Sequence, residues 1–180
     1  MPPTPFHFLA AALLHFRRPK NFDIAALLFS STCVDLELLY LLFVGKPMYH
    51  GIWHSYFFVL TVYPAVLSLV LYLAEKRFSK KIKSIYGFFR FFPEKIRYPF
   101  GIIYFSCLVG GLSHIFFDMW VHRVSSYLLF PFSIFDAENP FWIGRYEVIV
   151  HIGVGLLSLY AIYIWIRYTY NLRKKDARAH

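Results

Sequence analysis

Charge is scarce in this chain. Asp, Glu, Lys and Arg make up 16% of its 180 residues, and acids are scarcest, 10 against 19 Lys and Arg. Hydrophobic residues reach 58%, more than a soluble domain of this length needs to build a core. Cysteine is nearly absent. Cys33 and Cys107 both lie in apolar sequence, where a free cysteine behaves as a small buried hydrophobe, so neither reads as a disulfide partner. A basic region ahead of the first apolar stretch is also missing. In MPPTPFHFLAAALLHF the basic residues Arg17, Arg18 and Lys20 follow the apolar part, which argues against a secretory signal peptide. No nucleic-acid motif accompanies the net charge of +9, so nucleic acid is not an expected partner. With no internal repeat and no low-complexity linker, residues 1–180 read as one domain.

What the chain does have is long apolar sequence, including 21 Phe and 14 Tyr. A stretch of about 20 apolar residues is long enough to cross the hydrocarbon core of a bilayer. Four such runs are predicted as transmembrane helices: 24–44, 56–73, 100–121 and 148–168. Pro64 is expected to kink the second. Segment 6–16 is too short to span and reads as an interfacial or re-entrant helix. The fold expected is therefore all-α, a four-helix membrane bundle with a short N-terminal helix against or within it.

The distribution of basic residues gives an orientation. Most lie before the first run (Arg17, Arg18, Lys20), in segment 74–99 (Lys76, Arg77, Lys80, Lys81, Lys83, Arg90, Lys95, Arg97) or in the tail (Arg167, Arg173, Lys174, Lys175, Arg178). The alternate loops hold only Lys46, Arg123 and Arg145. The positive-inside rule places both termini and segment 74–99 in the cytoplasm, in a multi-pass protein of the cell inner membrane. Segment 74–99 also interleaves these charges with Phe and Ile. It reads as a basic amphipathic stretch lying on the anionic inner leaflet, with the lipid bilayer as its partner.

Ionisable groups inside the apolar runs carry the chemical signal. Each costs about 2.5–3.5 kcal/mol at membrane depth by insertion scales, so such groups need partners and mark function. Run 100–121 carries His114 and Asp118, four apart and so on one helix face. Run 24–44 carries Asp35 and Glu37. These two point about 200° apart on a helix and cannot both face one metal; Asp35 is favoured as a ligand and Glu37 as a structural or supporting partner. His50 and His54 precede the second run, His122 follows the third, and Glu147 and His151 open the fourth. His and carboxylate groups from four segments thus reach toward the outer half of the bundle. Imidazole and carboxylate are zinc-type donors. His15 and His180 are not expected as ligands.

The start MPPTPFH, Val34-Asp35, Trp53-His54-Ser55 and the run Gly110-Gly111-Leu112-Ser113-His114-Ile115-Phe116-Phe117-Asp118 resemble the membrane-bound, metal-dependent hydrolases of the YdjM-like group. The likeness extends from the N-terminus to about Phe132, and more loosely to the end. It implies a helical membrane protein with a metal site built from His7, Asp35, His54, His114 and Asp118. The chain departs from that pattern at Val34, where Pro is expected, and after His50, where Arg is expected. It also departs before His122, where Thr is expected. The order of His7, Asp35, His54, His114, Asp118 and His122, followed by a Glu147/His151 pair, is also similar to zinc-dependent phospholipase C, although the last pair is inverted.

These readings converge on a metal-dependent hydrolase holding a divalent ion, zinc by preference. Asp35, His54, His114 and Asp118 are its leading ligands, and His7 and His50 are further candidates. Glu147 and His122 are the candidates for proton transfer. A phosphoester or other ester at the outer membrane surface, in a lipid or membrane-associated substrate, is the expected substrate class. The alternative is a non-enzymatic membrane protein, with a structural metal site or an ion or proton path. A haem-bundle reading of His54 and His151 has no supporting motif.

Overall fold

The computed structural model describes residues 6–46, 51–89, 98–121, 127–132 and 147–179, together with Trp142 and Gly144. The described chain is all-helical. Helices α1 (Phe6–Arg17), α2 (Ile24–Cys33) and α3 (Leu36–Phe43) lead to a 3-10 turn at Ile52–His54. Then come α4 (Tyr56–Leu60), α5 (Val62–Arg77), α6 (Ser79–Phe89), α7 (Phe100–Val121) and α8 (Glu147–Ala179). Helix α7 is central, packing against α2, α5, α1 and α4, while α8 lies mainly along α1.

Among the described residues, two helices are long and apolar enough to cross a bilayer: α7 over Phe100–Trp120 and α8 over Val148–Asn171. The expected first span is two helices, α2 and α3, bent by 42° at Val34–Asp35; counted as one broken span, they make a third. The expected second span is also divided. Thr61 has non-helical backbone angles (φ −117°, ψ −85°) and separates α4 from α5. Pro64 explains the division. It lacks an N–H and its ring clashes with the carbonyl four residues back, Leu60, so it sits in the first turn of a new helix instead of kinking an old one. Four unbroken spans are therefore not what the chain builds.

The helices hold together through small residues and hydroxyls. Gly110 lets α2 approach α7 so closely that a Cβ there would collide with Ser30 Oγ and the Leu27 carbonyl. Tyr63 OH donates to the Ser30 carbonyl, tying α5 to α2. His15 Nδ1 lies 2.7 Å from the Phe22 carbonyl, which fastens α1 to the start of α2. Small residues at helix contacts with hydroxyl-to-carbonyl bonds are the packing mode expected where neighbours are no more apolar than the surrounding lipid. The outside agrees. Phe43 is 91% exposed, and Val66, Leu69, Val70, Leu156 and Ile166 are all more than half exposed.

Candidate metal centre

Three elements and one turn place four donors together. The break between α2 and α3 is the first device. Asp35 occupies the cap position of α3 yet makes no side-chain bond to that helix's own backbone, so its carboxylate is committed elsewhere. The 3-10 turn is the second. Ser55, not His54, caps α4, with Ser55 Oγ accepting from the Phe58 N–H at 3.1 Å. That leaves His54 pointing inward, its side chain 5% exposed. The third is the regular winding of α7, which stacks His114 over Asp118.

The distances are those of a small cage. Asp35 Oδ1 lies 3.1 Å from His54 Nε2 and 3.3 Å from His114 Nε2. Asp118 Oδ2 lies 2.9 Å from His114 Nε2 and 4.0 Å from His54 Nε2. All four donor atoms lie within 4.8 Å of one another. Zinc-to-ligand bonds of about 2.0–2.2 Å, arranged as a tetrahedron, require donors about 3.3–3.6 Å apart. The observed edges bracket that figure, so this group could bind a divalent metal. An apolar cluster lies alongside it: Val34, Val59, Tyr63, Ile115, Met119 and Leu128. Tyr56 OH donates to Met119 Sδ at 3.4 Å, fixing α4 to α7 next to Asp118.

Charge balance can be met in two ways. Two carboxylates with two neutral imidazoles leave −2 in a mostly buried site, which one divalent cation neutralises. Protonating both imidazoles does so too, giving a buried ion-pair network. His54 lies outside the apolar runs. Burial alone would lower its pKa, but the carboxylates of Asp35 and Glu37 outweigh that, and the pKa stands above the usual histidine value.

Glu37 takes the part foreseen for it. Its Oε2 accepts from the Gly51 N–H at 3.1 Å and lies 3.5 Å from His54 Nδ1. Asp35 and Glu37 therefore do not face the same point; they flank opposite nitrogens of one imidazole. Gly51 makes this possible, since a Cβ there would collide with Glu37 Oε1.

Of the sequence candidates, Asp35, His54, His114 and Asp118 are brought together, the one such group among the described residues. His50, His122 and the side chains of His7 and Glu147 lie outside the described residues. Sequence reasoning passed over Asp23. It is 1% exposed and caps α2, its Oδ1 accepting from the Ala25 N–H at 2.9 Å and from Tyr86 OH at 2.8 Å. An aspartate directly ahead of an apolar run is a recognisable helix-start signal and would have found it. No family model, no curated protein and no solved structure matches this chain.

Proposed function

We propose that this chain is a membrane-bound, metal-dependent hydrolase acting on a phosphoester or other ester at the outer membrane surface. The observation that carries the reading is the convergence of Asp35, His54, His114 and Asp118 from separate segments into a cage of metal-ligand dimensions. The resemblance to the YdjM-like group, carried by the residues of this cage, supports the same reading. Asp35 Oδ1, His54 Nε2, His114 Nε2 and Asp118 Oδ2 hold the ion, and zinc suits this donor set. Glu37 holds His54 by its other nitrogen. His122 and Glu147 are proposed for proton transfer, with His7 and His50 as additional ligands. When bound, a divalent ion lowers the pKa of a water toward neutrality and polarises the scissile group. In this reading the chain crosses the inner membrane four times, counting its two divided spans, with both termini cytoplasmic. A cysteine introduced at Ile52 is then labelled from outside; Ile52 is 42% exposed and, unlike Gly51, does not press on Glu37.

The decisive experiment is metal analysis of the purified wild type beside His114→Ala and Asp118→Ala. Stoichiometric metal in the wild type, lost in both variants, is the expected result. A gently prepared wild type without metal rejects the reading. Hydrolysis of phosphodiester and phospholipid substrates, abolished in the same variants, is expected next.

One observation favours a second reading. Four protein donors already fill a tetrahedral shell, as structural zinc sites do, whereas catalytic zinc keeps a position open. Cobalt substitution separates the two. A change of the Co²⁺ visible spectrum on adding inorganic phosphate indicates a position open to substrate; an unchanged spectrum with no turnover assigns the site to structure.

A further inference from the structure

The metal cage uses the C-terminal part of α7. The opposite end of the bundle, about 12 Å away along α7 between Ser106 and His114, has its own architecture. Asp23 is its centre. Its N–H donates to Ser106 Oγ at 2.9 Å and its carboxylate accepts from Tyr86 of α6. Trp165 Nε1 of α8 donates to the Phe89 carbonyl at the end of α6, at 2.9 Å. Tyr98 OH donates to the Pro19 carbonyl at 2.6 Å, bringing the turn between α1 and α2 to the same end.

Two fastenings on different partners fix the roll of α6 about its axis. Ile82 and Tyr86 form its half-buried side. At 100° per residue, Ile85 and Phe88 fall on one flank of that side and Lys80 and Lys83 on the other; Lys81 falls between Ile85 and Phe88, where its long stem can carry the ammonium out to the headgroups. The apolar flank is open: Phe78 is 52% exposed, Ile85 53% and Phe88 81%. All three lysines are exposed. Around them stand further exposed cations, Arg17, Arg18 and Lys20 on the α1–α2 turn and Lys76 and Arg77 at the end of α5. The acids at this end whose side chains are described, Asp23 and Glu75, are buried and half-buried. The exposed charge described here is therefore all positive, beside an open apolar flank.

We infer that this collar binds an anionic lipid surface, with Phe78, Ile85 and Phe88 set among acyl chains and the lysines against headgroup phosphates. A helix with apolar and basic flanks lies in a membrane interface in this way, and clustered lysines select anionic lipid. The inference rests on the membrane reading but not on the metal.

The test is native mass spectrometry of the full chain, released from an equimolar mixture of phosphatidylglycerol and phosphatidylcholine. The wild type is expected to retain phosphatidylglycerol several-fold in excess. Replacing Lys80, Lys81 and Lys83 together by Gln is expected to remove most of that preference, bringing retention of the two lipids close to equal. Phe88→Ser is expected to weaken retention of both lipids alike. Equal retention by the wild type, or an unchanged preference in the lysine variant, overturns the inference. Lysine-dependent binding of poly-glutamate without lipid preference also overturns it and assigns the collar to an acidic protein. Release of the chain from membranes by carbonate without detergent would instead remove the membrane reading beneath it.

Discussion

At the residue scale, the two ends of the bundle treat a carboxylate differently. Asp35 and Asp118 face imidazoles that can share or cede a proton, whereas Asp23 is sealed under Tyr86 and the α2 backbone. Burial raises the Asp23 pKa above its ordinary 3.8, against the lowering effect of the Tyr86, Ala25 and Ala26 hydrogen bonds. The sign follows from linkage. A raised folded-state pKa contributes stability that is fully present below 3.8 and is lost as pH rises through the folded value. Asp23→Asn keeps an acceptor for Ala25 N–H and Tyr86 OH but removes the charge. Thermal unfolding in detergent should show this variant at least as stable as wild type at pH 7, without the wild type's loss of stability above pH 4. Asp23→Ala forfeits the cap as well and should cost ~0.5–2 kcal/mol. Glu37 gives the complementary case. Carboxylates behind a ligating histidine are worth about 10–100-fold in metal affinity. Glu37→Ala should weaken zinc binding in that range in a competition titration. Gly51→Ala should do the same without touching a ligand, because its Cβ displaces Glu37.

At the scale of elements, legibility tracked the kind of signal. Run 100–121 was predicted and α7 occupies Phe100–Val121, because a span with no proline and no competing cap is decided by apolarity alone. Segment 6–16 likewise became α1, and the fourth run became α8. The break at Val34–Asp35 was not legible. Nothing between Ile24 and Val44 is Gly or Pro, and the bend accompanies a tertiary demand: Asp35 and Glu37 must reach opposite nitrogens of His54, a residue that sequence spacing cannot place. Tyr86 meeting Asp23 was hidden for the same reason. The metal group was legible as residue types and depth, since ionisable groups in apolar runs require partners; its membership beyond four residues rests on positions outside the described chain. Helix packing and site geometry are linked through Gly110. It seats α2 on α7, and α2 leads directly into Asp35 while α7 carries His114 and Asp118. Gly110→Val should cost about 1–3 kcal/mol by overpacking and reduce retained metal together with the melting temperature. Gly101→Ala, on the same helix but facing open space, should change neither.

At the scale of the whole molecule, the two proposals fall at opposite ends of α7: the basic collar proposed for anionic lipid at one end and the candidate metal cage at the other. The cage contacts α3, the 3-10 turn and α7, segments with little other apolar burial between them, since α3 keeps Leu39, Tyr40, Leu42 and Phe43 outward. An ion binding the folded state alone therefore stabilises a junction that is otherwise an electrostatic liability, two carboxylates and a third nearby in Glu37. The gain is RT ln(1 + [L]/Kd), ~2.7 kcal/mol at one hundred times Kd. Chelation of the purified protein should lower its melting temperature, and readdition of Zn²⁺ should restore it. The shift should shrink on acidification, because imidazole ligands must give up their protons to the solvent before they bind. It should vanish in His114→Ala at any pH. A melting temperature indifferent to chelator in a preparation that carries stoichiometric metal would place the ion elsewhere. The four residues would then be a buried ion-pair network, neutralised by two protons instead of one cation.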